Sequence, residues 1–399
     1  MKKMKLNKLV SILLGCAMTA SLAACGSASG TSATAAGTSA GTAAETTAAE
    51  TTAAQSMAES SAAASEASSG AAESLPDFSG KTLNVSTFSF NADLLQKNIY
   101  DPFMKATGCT LNVEGAKNAE RLTKLEQNPA AYDVMIISDQ YAQRLKDKGL
   151  LEEDDYSKLS NFGSIYQQTQ APTGEKYGPA YTITRLGIVY DSSTCPIEIS
   201  SWADLWKPEL KGLVAIPDIT ATSGPLFYYA TAKAFNLTVG QDDDKIFAKL
   251  GELKDNVAKT YTSANDTITM LNQGEISVAV LLDYSYTAAK KASENYVWVE
   301  PKEGTYASYN TLNIVKGSQN KELAEAFINY YLSKDVQTAE ALDGVDAPVR
   351  KDVELTDDQK ANFTYGQEMV DSLSFPDWNV INSSLEGWTA KWNELFSVQ

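Results

Sequence analysis

Histidine is absent from all 399 residues. That absence removes Ser-His-Asp and Cys-His catalysis and any His-ligated zinc or iron centre, leaving most extracellular hydrolase mechanisms without a base. Cysteine is scarce. Of the four, Cys16 and Cys25 lie near the N-terminus, and Cys109 and Cys195 remain, expected as two free thiols rather than a disulfide. Positive charge is also short: 33 Lys and Arg face 50 Asp and Glu, for a formal net charge of -17. With no basic excess to neutralise phosphates, nucleic acid is excluded as a partner. A carboxylate-pair glycosidase needs no histidine, but no two acids on neighbouring strand ends with an aromatic platform single one out. No enzyme activity, cofactor or metal is expected.

Long apolar runs are missing too. Lys2, Lys3, Lys5 and Lys8 precede an apolar run over 9–22, too short to span a bilayer as a mature helix, which reads as a secretory signal over 1–24. It ends in Leu22-Ala23-Ala24-Cys25. Small residues directly before a cysteine resemble the lipobox of bacterial lipoproteins, whose cysteine thiol takes a diacylglycerol and becomes the N-terminus. Cutting there removes four lysines and takes the net charge to -21. Acyl chains contribute about 0.8 kcal/mol per buried CH₂, so two or three hold a protein on a membrane and leave the rest soluble. Residues 26–74 are almost entirely Ala, Ser, Thr and Gly, broken by Glu45, Glu50, Glu59, Glu66 and Glu73, with no aromatic or basic residue. Such a segment builds no core. It reads, over 25–75, as a flexible tether with a reach of roughly 40 Å.

From Leu75 onward the chain exceeds what one core usually serves, so two domains are expected. Strand and helix patterns alternate. Strands are predicted at 82–85, 110–113, 132–137, 213–216, 257–261, 276–281, 296–299 and 311–315. Helices are predicted at 92–107, 118–127, 139–148, 224–235, 244–253, 266–273, 285–293 and 320–332. Asn91 is expected to cap the first helix and Gly108 to close it. Repeated β-α with apolar strands implies an α/β fold with a mostly parallel sheet covered on both faces. Such sheets bind ligands at loops beyond the carboxyl ends of their strands. Trp388 and Trp392, spaced i, i+4, read as a packing face, as do Trp202 and Trp206 after the cap candidates Ser200 and Ser201.

Several segments in order resemble ABC-transporter substrate-binding proteins of the spermidine/putrescine-binding type. Tyr132-Asp133-Val134 with Ser138-Asp139-Gln140-Tyr141, and Tyr177-Gly178-Pro179-Ala180-Tyr181 with Gly187-Ile188-Val189-Tyr190, are similar to that family's strands and first crossover. More specific are Ser201-Trp202-Ala203-Asp204-Leu205-Trp206-Lys207-Pro208-Glu209-Leu210-Lys211-Gly212, and Pro301-Lys302-Glu303-Gly304 with Asn320-Lys321-Glu322. The resemblance implies a two-lobe fold of the type II periplasmic-binding kind, with the cleft between lobes. Residues 76–184 and 306–399 would form one lobe and 185–305 the other, hinged near 181–188 and 300–310. It further implies a monomer that traps a small molecule by closure and delivers it to a permease at the outer face of the cytoplasmic membrane. A surface sensor or adhesin that kept the binding fold is the alternative from another class.

Family members that bind polyamines hold alkyl chains between aromatic rings and ammonium ends with carboxylates. The first loop here, Thr87-Phe88-Ser89-Phe90-Asn91, keeps an aromatic and a hydroxyl where the family reads approximately Asn-Trp-Thr-Glu-Tyr, but lacks the acid. Asp218, Asp283 beside Tyr284, and Asp346 are the candidate ammonium partners. For each aspartate, a helix cap or solvated turn is the competing reading. Tyr141, Tyr181, Tyr261, Tyr306 and Tyr309 are candidate walls. Two features point to a small anion or zwitterion instead: Arg185, and the Thr220-Ala221-Thr222-Ser223-Gly224-Pro225 run, where Ser223 opens a helix. Arg185 has a blander role open to it, pairing with Asp191 or another hinge carboxylate. A polyamine is the first choice, with a carboxylate, a phosphonate or a thiamine-like cation as alternatives.

Overall fold

The computed structural model describes residues 75–361 and 363–396. The predicted signal, Cys25 and nearly all of the tether lie outside the described residues. Nine strands form one continuous sheet. In chain order they are β1 Thr82–Thr87, β2 Thr110–Gly115, β3 Val134–Ser138, β4 Ala180–Asp191, β5 Val214–Pro217, β6 Val257–Tyr261, β7 Val278–Leu282, β8 Tyr296–Val299 and β9 Ala307–Ile314. The spatial order is β2-β1-β3-β9-β4-β7-β5-β6, with β8 paired to β4. β1 runs parallel to β2 and β3, and β5 parallel to β6 and β7. β3 (Val-Met-Ile-Ile-Ser) and β7 (Val-Ala-Val-Leu-Leu) are buried throughout, because helices cover both faces of each.

β4 joins the two halves. Its first part, Ala180 to Arg185, pairs antiparallel with β9, and its second, from Leu186, pairs with β7 and then β8. The core divides at the same place. Ile183 packs with Leu83, Val85, Ile136 and Phe327 in one apolar cluster, whereas Leu186 packs with Val214, Val280, Trp202 and Phe227 in another. Two lobes therefore share one sheet through the crossing strands β4 and β9.

Two expectations are corrected. The final helix, Trp378–Phe396, was expected in the first lobe, but Ile381, Trp388, Trp392 and Phe396 are buried in the second lobe's core. Its apolar stripe is long enough to need a core of its own, and it finds one against Tyr228: the Trp388 ring lies 4.3 Å from that ring while its Nε1 donates to Asp243. The first helix is also not regular. It runs as Ala92–Leu95, a π turn Gln96–Tyr100, and Asp101–Thr107 before Gly108 closes it with φ 70°. Asn91 enters it at φ 53° and gives no side-chain cap. The extra residue of the π turn carries polar Asn98 and Tyr100 to the interior beside Ile99.

The tryptophan-rich motif is a short 3-10 turn, Trp202–Trp206, capped by Ser201 Oγ accepting from the Ala203 N–H. Trp202 is fully buried in the second core, as its packing role requires. Cys109 and Cys195 are free thiols.

Candidate ligand-binding site

Loops from the two lobes meet beyond the carboxyl ends of β1 and β7. After β1, the chain presents Phe90. After β7, Asp283 and Tyr284 open the helix Asp283–Lys290. The Phe90 and Tyr284 rings lie edge to face, 5.4 Å apart, across the gap between lobes.

Asp283 is only 3% exposed. Its Oδ1 accepts from Thr184 Oγ1 at 2.7 Å and from the Tyr284 N–H at 2.9 Å, and its Oδ2 accepts from Thr364 Oγ1 at 2.7 Å. Burial nonetheless raises its pKa, against the pull of the nearby Arg185 charge and these donors. Asp346 approaches from the other side, in a half-buried loop whose Val345 belongs to the first lobe's core. Burial, and then the charge of Asp283, push its carboxyl up to about 7, while a hydrogen bond from Thr182 opposes the shift. Asp346 thus lies within reach of the charge of Asp283, which Arg185 opposes from its own side. Tyr284 feels both carboxylates, and its hydroxyl is pushed up by burial and their charges.

Arg185 takes the blander of its two roles. It is 5% exposed, with Nη1 3.5 Å from Glu300 Oε2 and its guanidinium 5.8 Å from the Trp298 ring. Asp218 lies in a turn, its Oδ1 accepting from the Thr220 N–H and hydroxyl, and is satisfied there. Ser223 Oγ sits 3.5 Å from Tyr261 Oη, which donates to the Val280 carbonyl, so these two build the second lobe's wall beside Tyr284. Tyr181 is buried at 4.8 Å from the Tyr331 ring and within reach of Asp346's charge. Phe88 is half-buried against the first core, under Arg121 at 4.7 Å. Tyr309 stacks on Phe375 at 4.5 Å, Tyr306 meets Tyr229 edge to face, Tyr141 packs in a side cluster of the first lobe, and Ser89 is exposed.

The structure therefore gathers Phe90, Tyr284, Asp283 and Asp346, with Tyr181, Arg185, Ser223 and Tyr261 around them. It leaves Asp218 to its own turn.

The family model for bacterial extracellular solute-binding proteins matches residues 130–384. The chain belongs to this family. It is 30% identical over 259 residues to the spermidine/putrescine-binding periplasmic protein 1 of Haemophilus influenzae, covering 61% of this chain and 69% of that relative. The spermidine/putrescine-binding periplasmic protein of Escherichia coli is 27% identical over 269 residues, 65% of this chain and 76% of its own. Among solved structures, an ABC transporter protein from Clostridium perfringens is 39% identical, with a TM-score of 0.70, covering 78% of this chain and 99% of that one. The fold is the two-lobe, type II periplasmic-binding fold, and this solute-binding protein is not an enzyme. No helix among its described residues is long and apolar enough to cross a membrane.

Sequence reasoning missed the threonines that hold the site. Thr182 and Thr184 alternate with Ile183 on β4, a period-two signal that places both hydroxyls on one face. Thr364, which donates to Asp283, had no local motif to expose it.

Proposed function

We propose that this solute-binding protein captures a small organic ammonium ion, with spermidine or putrescine the first choice, by closing its lobes, and hands it unaltered to a permease. The observation that carries this reading is the pair Asp283 and Asp346, one from each lobe, both destabilised by burial and the second also by the charge of the first. An ammonium group between them relieves both penalties, and it does so only when the lobes are together. Phe90 and Tyr284 supply rings against which methylene groups and ammonium charge pack. Closure then follows as a shift of population toward the form the ligand joins. The names of the two curated relatives point the same way.

Lipid attachment at Cys25, residence on the outer face of the membrane and a monomeric state belong to the same reading and rest on the sequence pattern. Cys25→Ser is expected to release the protein from membranes in detergent-free fractionation.

A second reading, an amine that also bears an acid group, draws on Arg121, a buried guanidinium with no carboxylate within ion-pair distance among the described residues. Thermal unfolding of the full chain with spermidine, 1,4-diaminobutane, thiamine, amino acids and phosphonates separates the two. Amines alone are expected to raise the midpoint. A rise with acids or phosphonates and none with amines would overturn the ammonium reading.

A further inference from the structure

The helix Ser223–Ala234 begins at the cleft and ends at a second cavity. Ser223 stands beside Tyr261 at the cleft wall, and Lys233 follows about 15 Å along the axis, at 1.5 Å per residue. The chain then turns sharply. Asn236 takes a left-handed φ of 55°, the Leu237 N–H donates back to the Ala232 carbonyl at 2.8 Å, and the Asn236 N–H donates to the Lys233 carbonyl at 3.3 Å. This is the Schellman closure with asparagine in place of the usual glycine. It brings Leu237 and Val239 back beside the last turn of the helix, and together with Tyr229, Ala232, Lys233 and Tyr306 they line a cavity of about 370 Å³, a volume that suits a small molecule.

The wall at Tyr306 belongs to the crossing between lobes. The Tyr306 carbonyl accepts at 2.9 Å from the N–H of Leu186, the residue where β4 enters the second lobe. Tyr306 also forms a parallel bridge with Ser374, on the segment that leads from Val370 in the first core to Trp378 against the second. Three segments that run between the lobes therefore meet at this side of the cavity.

Lys233 is half-buried there. Its Nζ lies 5.4 Å from the centre of the Tyr306 ring and donates to Ser374 Oγ at 3.5 Å, while Tyr229 meets Tyr306 edge to face at 5.3 Å. Acids outnumber bases in the chain by 50 to 33, yet none of the described residues brings a carboxylate within ion-pair distance of this ammonium. Asp377, which reaches Tyr229, is engaged elsewhere: its Oδ1 accepts from the N–H groups of Asn379 at 2.9 Å and Val380 at 3.3 Å. An ammonium group has three donors, and one long contact to a hydroxyl leaves it far from satisfied. A carboxylate is the stronger match.

The geometry points to a second ligand site, separate from the cleft, that takes a small organic monocarboxylate without an ammonium group. The acid meets Lys233, and the apolar body lies against Tyr229, Leu237 and Val239. A polyamine is repelled by Lys233, so the two sites select opposite charges. An occupant touches both the second lobe's helix and Tyr306 at the crossing.

Titration calorimetry and ligand-observed NMR of the full chain compare sodium benzoate with benzamide, its neutral counterpart. Benzoate is expected to bind in the millimolar range and at least about tenfold tighter than benzamide, the worth of one charge-assisted contact. Lys233→Met keeps the apolar stem and drops the charge, and is expected to cancel that difference. Lys233→Arg is expected to keep most of it, and Lys245→Met, at an exposed lysine paired with Asp242, to leave it unchanged. Should Lys233→Met fail to fold, the half-exposed position admits Lys233→Gln, which also lacks the charge. Equal binding of benzoate and benzamide, or a preference for benzoate that survives removal of the Lys233 charge, would overturn the site. Absence of benzoate binding up to about 10 mM would do the same.

Discussion

Asp139 and Asp283 occupy equivalent places in the two lobes. Each follows a fully buried strand, β3 or β7, each opens the next helix, and each is nearly inaccessible, at 1% and 3% exposed. Each also reaches a crossing strand. Asp139 accepts from Ser308 Oγ and the Tyr309 N–H on β9, and Asp283 from Thr184 Oγ1 on β4. Their surroundings then diverge. Asp139 meets only donors, from Ser308, Tyr309, Gln140 and Trp378, and no second acid. Asp283 faces another carboxylate across the cleft, beside an aromatic pair. One local pattern thus yields a latch on the hinge in the first lobe and the proposed ammonium partner in the second, and the neighbour from the opposite lobe decides which.

The sharpest test of the latch is its pH dependence. Burial raises Asp139 to about 6 despite its four donors. A raised carboxyl stabilises the fold below its unfolded pKa, near 4, and that contribution is lost as pH rises through 6. The stability of the wild type relative to Asp139→Asn, from urea unfolding, is therefore expected to fall by roughly 2.5 kcal/mol between about pH 4 and pH 7.5. A flat difference would remove the distinction between a desolvated latch and an ordinary helix cap.

Asp283→Asn tests the other half of the comparison. It keeps the shape and the hydroxyl contacts but removes the charge, so amine affinity is expected to drop about 30-fold, roughly 2 kcal/mol. The unfolding midpoint without ligand is expected to stay level or rise, since a penalised charge has gone. If Asp139→Asn weakened amine binding as much, both aspartates would belong to one site.

The contrast also marks what the sequence could show. Strand and helix periods placed β6 and β8 and the helix Asn118–Gln127 at their observed bounds, because each repeats a clean apolar pattern. Asp283, Tyr284 and Phe90 were legible as loop residues after predicted strands. The π turn was not, since Leu95, Ile99 and Phe103 fit an ordinary helix equally well and only packing reveals the inserted residue. Nor could the sequence tell Asp283 from Asp139 or Asp218. The fates of Asp283 and Asp139 depend on partners distant in the chain, Asp346 and Ser308, whereas Asp218 is held by a neighbour two residues on.

Asp346 gives a third test, read in affinity rather than stability. Near pH 6 its carboxyl, with a pKa of about 7, is mostly protonated in the unliganded protein, and Asp283, Thr182, Tyr284 and Glu340 are the groups that bear on it. Ammonium binding must expel that proton. Amine affinity is therefore expected to fall toward tenfold per unit as pH drops below 7, or about 1.4 kcal/mol. The amine itself stays charged throughout, so a constant affinity from pH 6 to 8 would place the ammonium elsewhere.

The smallest effect falls on Asp218, the third aspartate of the sequence pattern. Its Oδ1 holds the Thr220 N–H at 2.9 Å as well as the Thr220 hydroxyl, and the turn it makes leads into the helix Ser223–Ala234. Gly224 shows how tight that turn is: a Cβ there would come within 2.1 Å of the Asp218 carbonyl oxygen. The side chain therefore acts on the backbone, as an Asx turn does. Asp218→Ala is expected to lower stability by about 1 kcal/mol while amine affinity changes less than about twofold. A loss of affinity matching that of Asp283→Asn, at unchanged stability, would move Asp218 from the turn into the cleft.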